Sequence, residues 1–569
     1  MRMFRWLLLI VAWPGLALAA GPTELNVFFR SGQSFITWKE SGADKYSLYR
    51  SDKPIADVKT ATLLAEVAPG SSKFATEARK DGHYLEKVSG KQGYGLRYVI
   101  QDNGDCDPSK MPAQDTGLFV HTAHQAGKFY YAVADADGAV GPGNSLAQPV
   151  EEKPQPAGAV LVYRKASPAD GGEHRIYTHW MDDADWNPKP TGGYAFNFGL
   201  ALPDSKKSPG LLLRLHAYGC RYEVYGPQAG GVMLVVDDPN WDWYYGYRNP
   251  AGTQVVNYSE RRMIQTVELA LRLAAEAGCE VDRGRIQING GSMGGSGANL
   301  LAAMHGDLFA AATTNKGMVN YNMTARPLQT AEKNLWGTRQ EDLPANTGDR
   351  AWNHMDLIRW HLANVGRETA FIVDTHSSTD EILPFDPVPE YYQALQKARR
   401  PFVAIWAPVA HMAAIDPPAW RNYPAWPSWT IRIDETVPAI GYATSSDAPV
   451  AGGKGQINYK VEWCCSGNDF DKGSTKDDIV DAPGRWEMCI RSLAGPQTAT
   501  ITPRRCQKFK AAAGKTYRWE NWSFADPAKP IKAAEGTVKA DEFGLVSVEK
   551  FAFGQAGWGN RLVIFPAEK

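Results

Sequence analysis

The segment that decides the fold is Arg285-Ile286-Gln287-Ile288-Asn289-Gly290-Gly291-Ser292-Met293-Gly294-Gly295-Ser296-Gly297-Ala298-Asn299. A short β-branched run enters a turn of small residues, and a helix start that is also built of small residues leaves it. Gly290, Ser292 and Gly294 form the pattern G-x-S-x-G, which is typical of a nucleophilic serine at a sharp strand-to-helix turn. Glycines beside the serine leave room for this strained turn. The sequence therefore predicts an exposed Ser292 hydroxyl and a helix whose N-terminus faces a developing oxyanion.

The glycine-rich turn has two other interpretations that involve no serine chemistry. One is a dinucleotide-binding loop, because phosphates also bind where a strand, a glycine-rich turn and a helix follow each other. The spacing argues against it, since residues 298–300 contain no glycine and the pattern G-x-G-x-x-G is not completed. The other is a turn with a structural role alone. The residues that follow Ser292 along the chain decide between these interpretations.

A nucleophilic serine needs a base, and histidine is the usual one. The chain contains only 11 histidines. His411 follows the apolar run 401–407, which has the composition of a buried strand, and it lies in the loop 408–412. In proteins with the G-x-S-x-G motif, the base lies on a loop past the final strand. We therefore predict that His411 accepts the proton of Ser292.

The acid that orients the histidine should follow the preceding strand, between the serine and the histidine in the chain. Residues 370–373 have the composition of that strand, and a polar loop follows them. We favour Asp380 as the acid because it lies in the loop beyond the strand, and Asp374 and Asp386 are the alternatives. The predicted catalytic residues are Ser292, Asp380 and His411.

Two N–H groups should stabilise the oxyanion of the reaction. One belongs to Met293, which directly follows the serine. The other should come from the loop after the buried strand 211–215, where Ala217 and Tyr218 are both candidates. Tyr218 can donate its hydroxyl as well as its amide. We interpret His216, in the same loop, as a structural residue.

Residues from about 195 to 425 resemble an α/β-hydrolase, and within that superfamily the prolyl-oligopeptidase, feruloyl-esterase and polyhydroxybutyrate-depolymerase branches. The resemblance rests on segments 216–219, 281–286, 290–295 and 380–384, and on His411. It implies a mostly parallel sheet with helices on both faces, and a serine hydrolase that forms an acyl-serine intermediate. We expect no cofactor and no metal site.

The rest of the chain has the patterns of two β-rich regions around this core. Short strands with turn signals between them predict a β-sandwich before residue 156, and its buried Trp and Tyr pattern resembles a fibronectin type III module. The proline-rich residues 149–156 are interpreted as a linker. From about residue 430 the pattern returns to β and predicts a second sandwich. The predicted domains are 21–155, 156–429 and 430–569.

Two features near the predicted cleft are candidates for substrate recognition. The loop 237–247 carries Trp241, Trp243 and Tyr245, and we expect it on the face where loops after parallel strands build active sites. These aromatic rings suit a wall for a sugar or aromatic ester, and packing against a neighbouring domain is the alternative. Residues 315–367 form a long excursion before the acid strand and are expected to act as a lid.

The start of the chain predicts export. Residues 1–20 combine a basic beginning, an apolar stretch interrupted by Pro14 and a small-residue cleavage site, which is typical of a secretory signal peptide. The apolar stretch is too short to span a membrane. We therefore expect a periplasmic or secreted protein.

Seven cysteines in an oxidising compartment leave at least one thiol unpaired in a monomer. Cys489 and Cys506 flank a predicted turn at similar distances and are candidates for a cross-strand disulfide. Cys464 or Cys465 is a rival partner, and the sequence does not decide between them.

The composition is that of an ordinary globular protein, with a formal net charge of −1 and no basic stripe, so nucleic acid is not an expected partner. We predict an exported carboxylesterase whose substrate is a small-molecule or polymeric ester, carbohydrate-linked or aromatic. A prolyl-oligopeptidase-like serine peptidase is the first alternative. A non-catalytic extracellular binding protein with a degenerate hydrolase core is the second.

Overall fold

The computed structural model describes residues 21–72, 113, 115–167, 171–186, 195–220, 226–227, 229–322, 335–415, 429–464, 479–526 and 528–567. The predicted signal peptide, Cys106 and Cys465 lie outside these residues. Within the described part of the chain, no helix combines the length and apolar character needed to cross a membrane.

The described part of residues 21–155 forms two antiparallel sheets, with a single turn of 3-10 helix at Val58–Thr60. Its strands are β1 (Thr23–Arg30), β2 (Gln33–Lys39), β3 (Tyr46–Ser51), β4 (Thr62–Val67), β5 (Thr116–Thr122), β6 (Gly127–Ala134) and β7 (Val150–Glu152). One sheet has the order β1-β2-β5 and the other the order β4-β3-β6-β7. Trp38, Tyr46 and Tyr131 are buried between them, so alternate residues of both sheets share one core.

A ten-stranded sheet forms the centre of the described molecule. The strands of this region are β8 (Val160–Ser167), β9 (Gly172–Trp180), β10 (Ala195–Pro203), β11 (Lys207–Ser208), β12 (Leu211–Leu215), β13 (Val232–Val236), β14 (Tyr247–Arg248), β15 (Val255–Val256), β16 (Glu280–Val281), β17 (Ile286–Gly291), β18 (Ala311–Asn315), β19 (Phe371–Ser377) and β20 (Phe402–Ala407). β11 pairs with β16 and β14 with β15 in small separate ribbons.

The order in the large sheet is β20-β19-β18-β17-β12-β13-β10-β9-β8, and a tenth strand, Gly455–Ile457, pairs with β20. The six strands from β20 to β13 run parallel, and the others are antiparallel. The chain adds β13 on one side of β12 and then β17 on the other side. This reversal creates a switch point at the carboxyl ends of β12 and β17, where open α/β sheets bind their ligands.

Helices cover one face of this sheet in the described residues. They are α1 (Tyr258–Glu276), α2 (Met293–Met304), α3 (Ala351–His354), α4 (Leu357–Ala363) and α5 (Val388–Lys397), and a 3-10 turn lies at Arg283–Arg285. Met263, Val267 and Ala274 of α1 recur on one side of the helix and pack in the same core as Leu213 and Ile288. The register places Leu213 and Ile288 side by side, so they point to one face of the sheet.

The expectation of helices on both faces is not met in the described residues. Ile372 of β19 shares the core of the five helices, whereas Phe371 and Val373 point to the opposite face and pack against the C-terminal strands. Phe371 lies 6.1 Å from Trp463, centroid to centroid. Strands therefore cover the second face of β18–β20, where the resemblance led us to expect helices.

The C-terminal strands are β21 (Val437–Gly441), β22 (Gly455–Ile457), β23 (Val461–Trp463), β24 (Val480–Ala482), β25 (Arg485–Ser492), β26 (Gln497–Arg504), β27 (Thr516–Ser523), β28 (Ile531–Lys539), β29 (Val548–Phe553) and β30 (Asn560–Pro566). β22 is the edge strand of the large sheet. The others form one sheet of order β21-β26-β29 and one of order β23-β25-β30-β27-β28, in which β24 also pairs with β25.

The candidate disulfide between Cys489 and Cys506 does not form. Cys506 is a free thiol 3.5 Å from the hydroxyl of Thr436. Cys489 lies on β25, opposite Arg561 of β30. The prediction assumed a hairpin of β25 and β26, but these strands belong to different sheets, so the turn between them does not bring the two sulfurs together.

Candidate active site

Ser292 stands at the junction of β17 and α2 in a left-handed backbone conformation, with φ 57° and ψ −122°. Its N–H donates to the carbonyl oxygen of Asn315 at 2.9 Å. A Cβ on Gly290 would lie 2.2 Å from the carbonyl oxygen of Gly294, and a Cβ on Gly294 would lie 2.4 Å from that of Leu215. Both distances are too short for any side chain, which explains the two glycines of the pattern.

The three predicted catalytic residues form one hydrogen-bonded chain. Ser292 Oγ lies 2.8 Å from His411 Nε2, and His411 Nδ1 lies 2.7 Å from Asp380 Oδ2. The side chains of His411 and Asp380 are 3% and 2% exposed, so water is nearly excluded from their contact.

Asp380 is held in its charged form. Its Oδ1 accepts the N–H groups of Ile382 and Leu383 at 2.9 and 2.8 Å. Burial alone would raise the pKa of Asp380, but the hydrogen bonds from His411, Leu383 and Ile382 outweigh burial and hold that pKa below its usual value. A carboxylate is therefore present to orient the imidazole.

The two alternative acids have other surroundings. Asp374 lies on β19, fully buried, with Oδ2 at 2.9 Å from Nδ1 of His376 and a hydrogen bond from the Thr314 hydroxyl. Asp386 is exposed at the end of the loop that leads into α5. Of the three aspartates, Asp380 is the one that contacts His411.

The oxyanion candidates lie on both sides of Ser292. Met293 is the first residue of α2, where backbone N–H groups have no partner within the helix. Ala217 lines a cavity together with Ser292, whereas the ring of Tyr218 packs 4.6 Å from that of Trp241. Either residue of this loop remains a candidate for the second donor.

His216 fixes the loop that follows β12. Its Nδ1 lies 2.9 Å from the carbonyl oxygen of Ala217, and its Nε2 accepts the N–H of Asp238 at 2.8 Å. The Tyr244 hydroxyl donates to the carbonyl oxygen of His216 at 2.9 Å. These contacts are those of the structural residue that the sequence led us to expect.

A cavity of about 540 Å³ lies beside the serine. Part of its lining is apolar, because Met412, which is 87% exposed, and the alanines after it line the cavity, and Arg214 and Lys316 are among the charged residues there. Within the described chain, no three His, Cys, Asp or Glu side chains are grouped so that they could hold a metal ion. The lining includes Ala217, Ser292, Lys316, His411, Met412 and Ala413.

The predicted aromatic wall requires a correction. Trp243 and Tyr245 are 1% and 0% exposed and belong to the helix-side core, where Trp243 packs against Tyr321 and Tyr245 against His354. The φ angles of residues 241, 243 and 244 are positive, and the three consecutive rings of Trp243, Tyr244 and Tyr245 all lie in the core. Of the three predicted rings, Trp241 alone is half-buried, beside Tyr218, and it stays a candidate for substrate contact.

The predicted lid also contributes to the core. Trp336 and Trp352 are 0% and 2% exposed and pack edge to face with centroids 5.2 Å apart. Residues 323–334 of this excursion lie outside the described residues. The described parts of the excursion therefore show packing against the helices.

Sequence reasoning missed two charged residues that hold the histidine loop. Lys316 donates to backbone carbonyl groups around His411, and Glu381 accepts the His411 N–H. A single lysine after a strand follows no catalytic pattern, so the sequence offers no signal for it. Glu381 stands next to the predicted acid but differs from it in what it contacts.

A protein-family model matches the segment that carries these residues. Residues 259–413 match the model of the prolyl oligopeptidase family, and this stretch contains Ser292, Asp380 and His411. No curated protein matches the sequence. The family match and the observed strand order support an α/β-hydrolase fold and a serine hydrolase.

Solved structures that are similar to the chain include esterases and a peptidase. S-formylglutathione hydrolase from Agrobacterium tumefaciens is 15% identical over 44% of this chain and 92% of its own, with a TM-score of 0.32. Acetyl xylan esterase 1 from Thermoanaerobacterium is 13% identical over 45% and 84%, with a TM-score of 0.33. Acylaminoacyl peptidase from Pyrococcus horikoshii is 14% identical over 52% of this chain, with a TM-score of 0.30. The chain spans only 55% of that peptidase.

Proposed function

We propose that this protein is an exported carboxylesterase that uses Ser292, His411 and Asp380 as a catalytic triad. The observation that carries the proposal is the hydrogen-bonded chain from Ser292 Oγ through the imidazole to the Asp380 carboxylate, with distances of 2.8 and 2.7 Å. A nucleophile within hydrogen-bond reach of a base, and a base oriented by an acid, are the requirements for acyl transfer.

In the proposed reaction, Ser292 Oγ attacks the ester carbonyl carbon while His411 Nε2 takes the hydroxyl proton. The N–H of Met293 and a donor of Ala217 or Tyr218 stabilise the oxyanion. The imidazolium then gives its proton to the departing alcohol, which leaves an acyl-serine. Water, activated by the same imidazole, attacks the acyl-serine and releases the acid. Asp380 stays ionised and stabilises the imidazolium in both halves of the reaction.

We propose carbohydrate-linked, polymeric or aromatic esters as the substrate class. The exposed side chain of Met412 suits an apolar acyl or aryl group, and Trp241 offers a ring face beside Tyr218. The β-rich regions on either side suit a polymeric substrate, by analogy at the level of architecture. We assign residues 21–155 to a fibronectin type III-like module, which the sheet orders β1-β2-β5 and β4-β3-β6-β7 support.

Two alternative functions, a serine peptidase and a binding protein without activity, can be tested by the same experiment. The family match favours a serine peptidase, since the matching model is that of the prolyl oligopeptidases. A binding protein with an inactive core is disfavoured by the hydrogen bonds among Ser292, His411 and Asp380.

The test is a substrate panel with an active-site label. The full-length protein and Ser292→Ala would be treated with a fluorophosphonate probe and assayed on p-nitrophenyl acetate, butyrate and octanoate, methyl ferulate, acetylated xylan and a prolyl amide. An esterase is labelled in the Ser292-dependent manner and turns over esters faster than the amide. Faster cleavage of the amide would establish the peptidase. If the protein showed no labelling and no turnover, the binding protein would be established.

A further inference from the structure

Side chains, more than strand pairing, hold the loop that carries His411. The loop follows β20, and its backbone groups meet side chains from the ends of β18 and β19. The Thr379 hydroxyl donates to the carbonyl oxygen of Val409 at 3.0 Å, and the Ser377 hydroxyl also donates to it. Glu381 accepts the N–H of His411 at 3.0 Å. The position of the imidazole therefore depends on neighbours that are distant in sequence.

Lys316 provides the largest share of these contacts. Its Nζ donates to the carbonyl oxygens of Ala410 at 3.0 Å and of His411 at 2.7 Å, and a third hydrogen bond goes to the carbonyl oxygen of Ala413. An ammonium group has three N–H donors, so these three acceptors use all of them. Lys316 is only 3% exposed, and burying an ammonium is costly unless its donors are satisfied.

The backbone next to Lys316 holds the nucleophile. The carbonyl oxygen of Asn315 accepts the N–H of Ser292 at 2.9 Å. Gly317 packs on the first turn of α2 so closely that a Cβ there would lie 2.5 Å from the carbonyl carbon of Gly295. Lys316 itself has φ 51°, a left-handed conformation that turns its side chain away from the path of β18. The tripeptide 315–317 therefore touches the serine elbow by its backbone and the histidine loop by its side chain.

We propose that Lys316 is a positioning residue that sets the distance between Ser292 Oγ and His411 Nε2. Glu381 holds the same loop by accepting the backbone N–H of His411. This inference rests on the proposed hydrolase function. A misplacement of about 1 Å between reacting groups can cost roughly 100-fold in rate. A purely structural lysine would change the stability of the protein and leave the turnover of each folded molecule as it is.

The experiment compares Lys316→Met with a matched buried cation. Arg505 is also buried and donates to backbone carbonyl oxygens, those of Arg432 at 2.7 Å and Ala310 at 2.9 Å, but it is remote from Ser292 in the fold. The kcat and KM of full-length wild type, Lys316→Met, Lys316→Arg and Arg505→Met would be measured per active site titrated with a phosphonate. The melting temperature of each would be recorded as well.

We expect Lys316→Met to lower kcat per titrated site about 100-fold with KM nearly unchanged, and Lys316→Arg to recover part of the loss. Arg505→Met should lower the melting temperature and leave kcat per site near that of wild type. A wild-type kcat per site in Lys316→Met would overturn the positioning role. A wild type without Ser292-dependent turnover would instead overturn the proposed function, and this inference with it.

A second pair of variants covers the case in which Lys316→Met does not fold. Glu381 is exposed, so substitutions there should leave folding intact. Glu381→Leu removes the acceptor of the His411 N–H, whereas Glu381→Gln keeps one oxygen that can accept it. We expect a lower kcat per site in Glu381→Leu and a value near wild type in Glu381→Gln. Equal values in both variants and in wild type would overturn the inference.

Discussion

The structure contains two histidine–aspartate pairs, one in the loops after β19 and β20 and one on β19, and the distance between the partners is nearly the same in both. In the first, His411 Nδ1 is 2.7 Å from Asp380 Oδ2. In the second, His376 Nδ1 is 2.9 Å from Asp374 Oδ2 and 3.2 Å from the Tyr392 hydroxyl, and both residues of the pair are buried on β19. The distance between the partners therefore does not tell a catalytic pair from a structural one.

The pairs differ in what the far nitrogen faces. His411 Nε2 meets the hydroxyl of Ser292, which can give it a proton, whereas His376 Nε2 meets the carbonyl oxygen of Gly317 at 2.8 Å. A carbonyl oxygen only accepts, so His376 must donate there and is not available as a base. The third group, and its access to the cavity, decides the chemistry of such a pair.

We expect the largest effect from removing the hydroxyl of Ser292, the group that His411 Nε2 contacts in the first pair. Ser292→Ala should lower kcat by a factor on the order of 10⁶, because the nucleophile is lost, while the melting temperature stays close to that of wild type. Ester hydrolysis and thermal unfolding measure the two quantities. Activity within 100-fold of wild type would mean that another residue is the nucleophile and would break the comparison.

The second prediction compares the same substitution at each of the two aspartates. Asp380→Asn should lower kcat about 10⁴-fold, because the amide selects the wrong tautomer of His411 and no longer stabilises the imidazolium. Asp374→Asn should keep kcat per titrated site within about tenfold, yet lower the free energy of unfolding by about 3–5 kcal/mol, because His376 loses its buried partner. Active-site titration and urea unfolding separate the effects. The reverse pattern would assign the acid to Asp374.

The third prediction concerns pH and the second pair. Burial would lower the pKa of His376, but the charge and hydrogen bond of Asp374 outweigh it and raise that pKa above 6.5. The stabilisation is therefore complete below pH 6.5 and is lost as pH rises through the higher pKa of the folded state. We expect the free energy of unfolding of wild type, relative to His376→Gln, to fall over that range. A constant difference between the two from pH 6 to 9 would contradict this.

We expect the smallest effect from a comparison of two tryptophans, Trp241 and Trp243, in one loop. Trp241 is half-buried beside Tyr218, whereas Trp243 lies in the core. Trp241→Ala should raise KM for methyl ferulate roughly 2- to 13-fold, the equivalent of about 0.5–1.5 kcal/mol of ring stacking, without a change on p-nitrophenyl acetate. Trp243→Ala should instead lower the free energy of unfolding by about 3–5 kcal/mol. Equal KM changes on both esters in Trp241→Ala would point to packing alone.

The serine elbow, the parallel strands and the helices α1 and α5 could be predicted because local sequence determines them. Gly290 is required by a contact with Gly294, four residues away, and the apolar residues of α1 recur at the spacing of a helix. The contact that requires Gly294 is with Leu215 on another strand, so only the G-x-S-x-G pattern indicated that glycine. The choice of Asp380 over Asp374 followed from chain position, whereas the reason that Asp374 is occupied elsewhere, its contact with His376, needed the structure.

Long-range pairing is where sequence reasoning failed. The hydrophobic pattern of the aromatic loop is the same whether the rings face a cleft or the core, so the burial of Trp243 and Tyr245 could not be read from it. The turn between β25 and β26 looks like a hairpin turn, but their sheets are set by distant partners. The sequence gives no signal for the role of Lys316, because its hydrogen-bond acceptors are backbone carbonyl oxygens nearly a hundred residues away.

The shared core on the second face of the large sheet sets an order of events during synthesis. All parallel strands of the large sheet have been synthesised once Ala407 is added, but Phe371 and Val403 share a core with residues as far along the chain as Ile564. A chain interrupted before that point carries an uncovered apolar sheet face and an unpaired β20 edge, both of which favour association with other chains. His411 thus follows the last parallel strand of a sheet that still lacks its edge strand β22 and the cover of its second face.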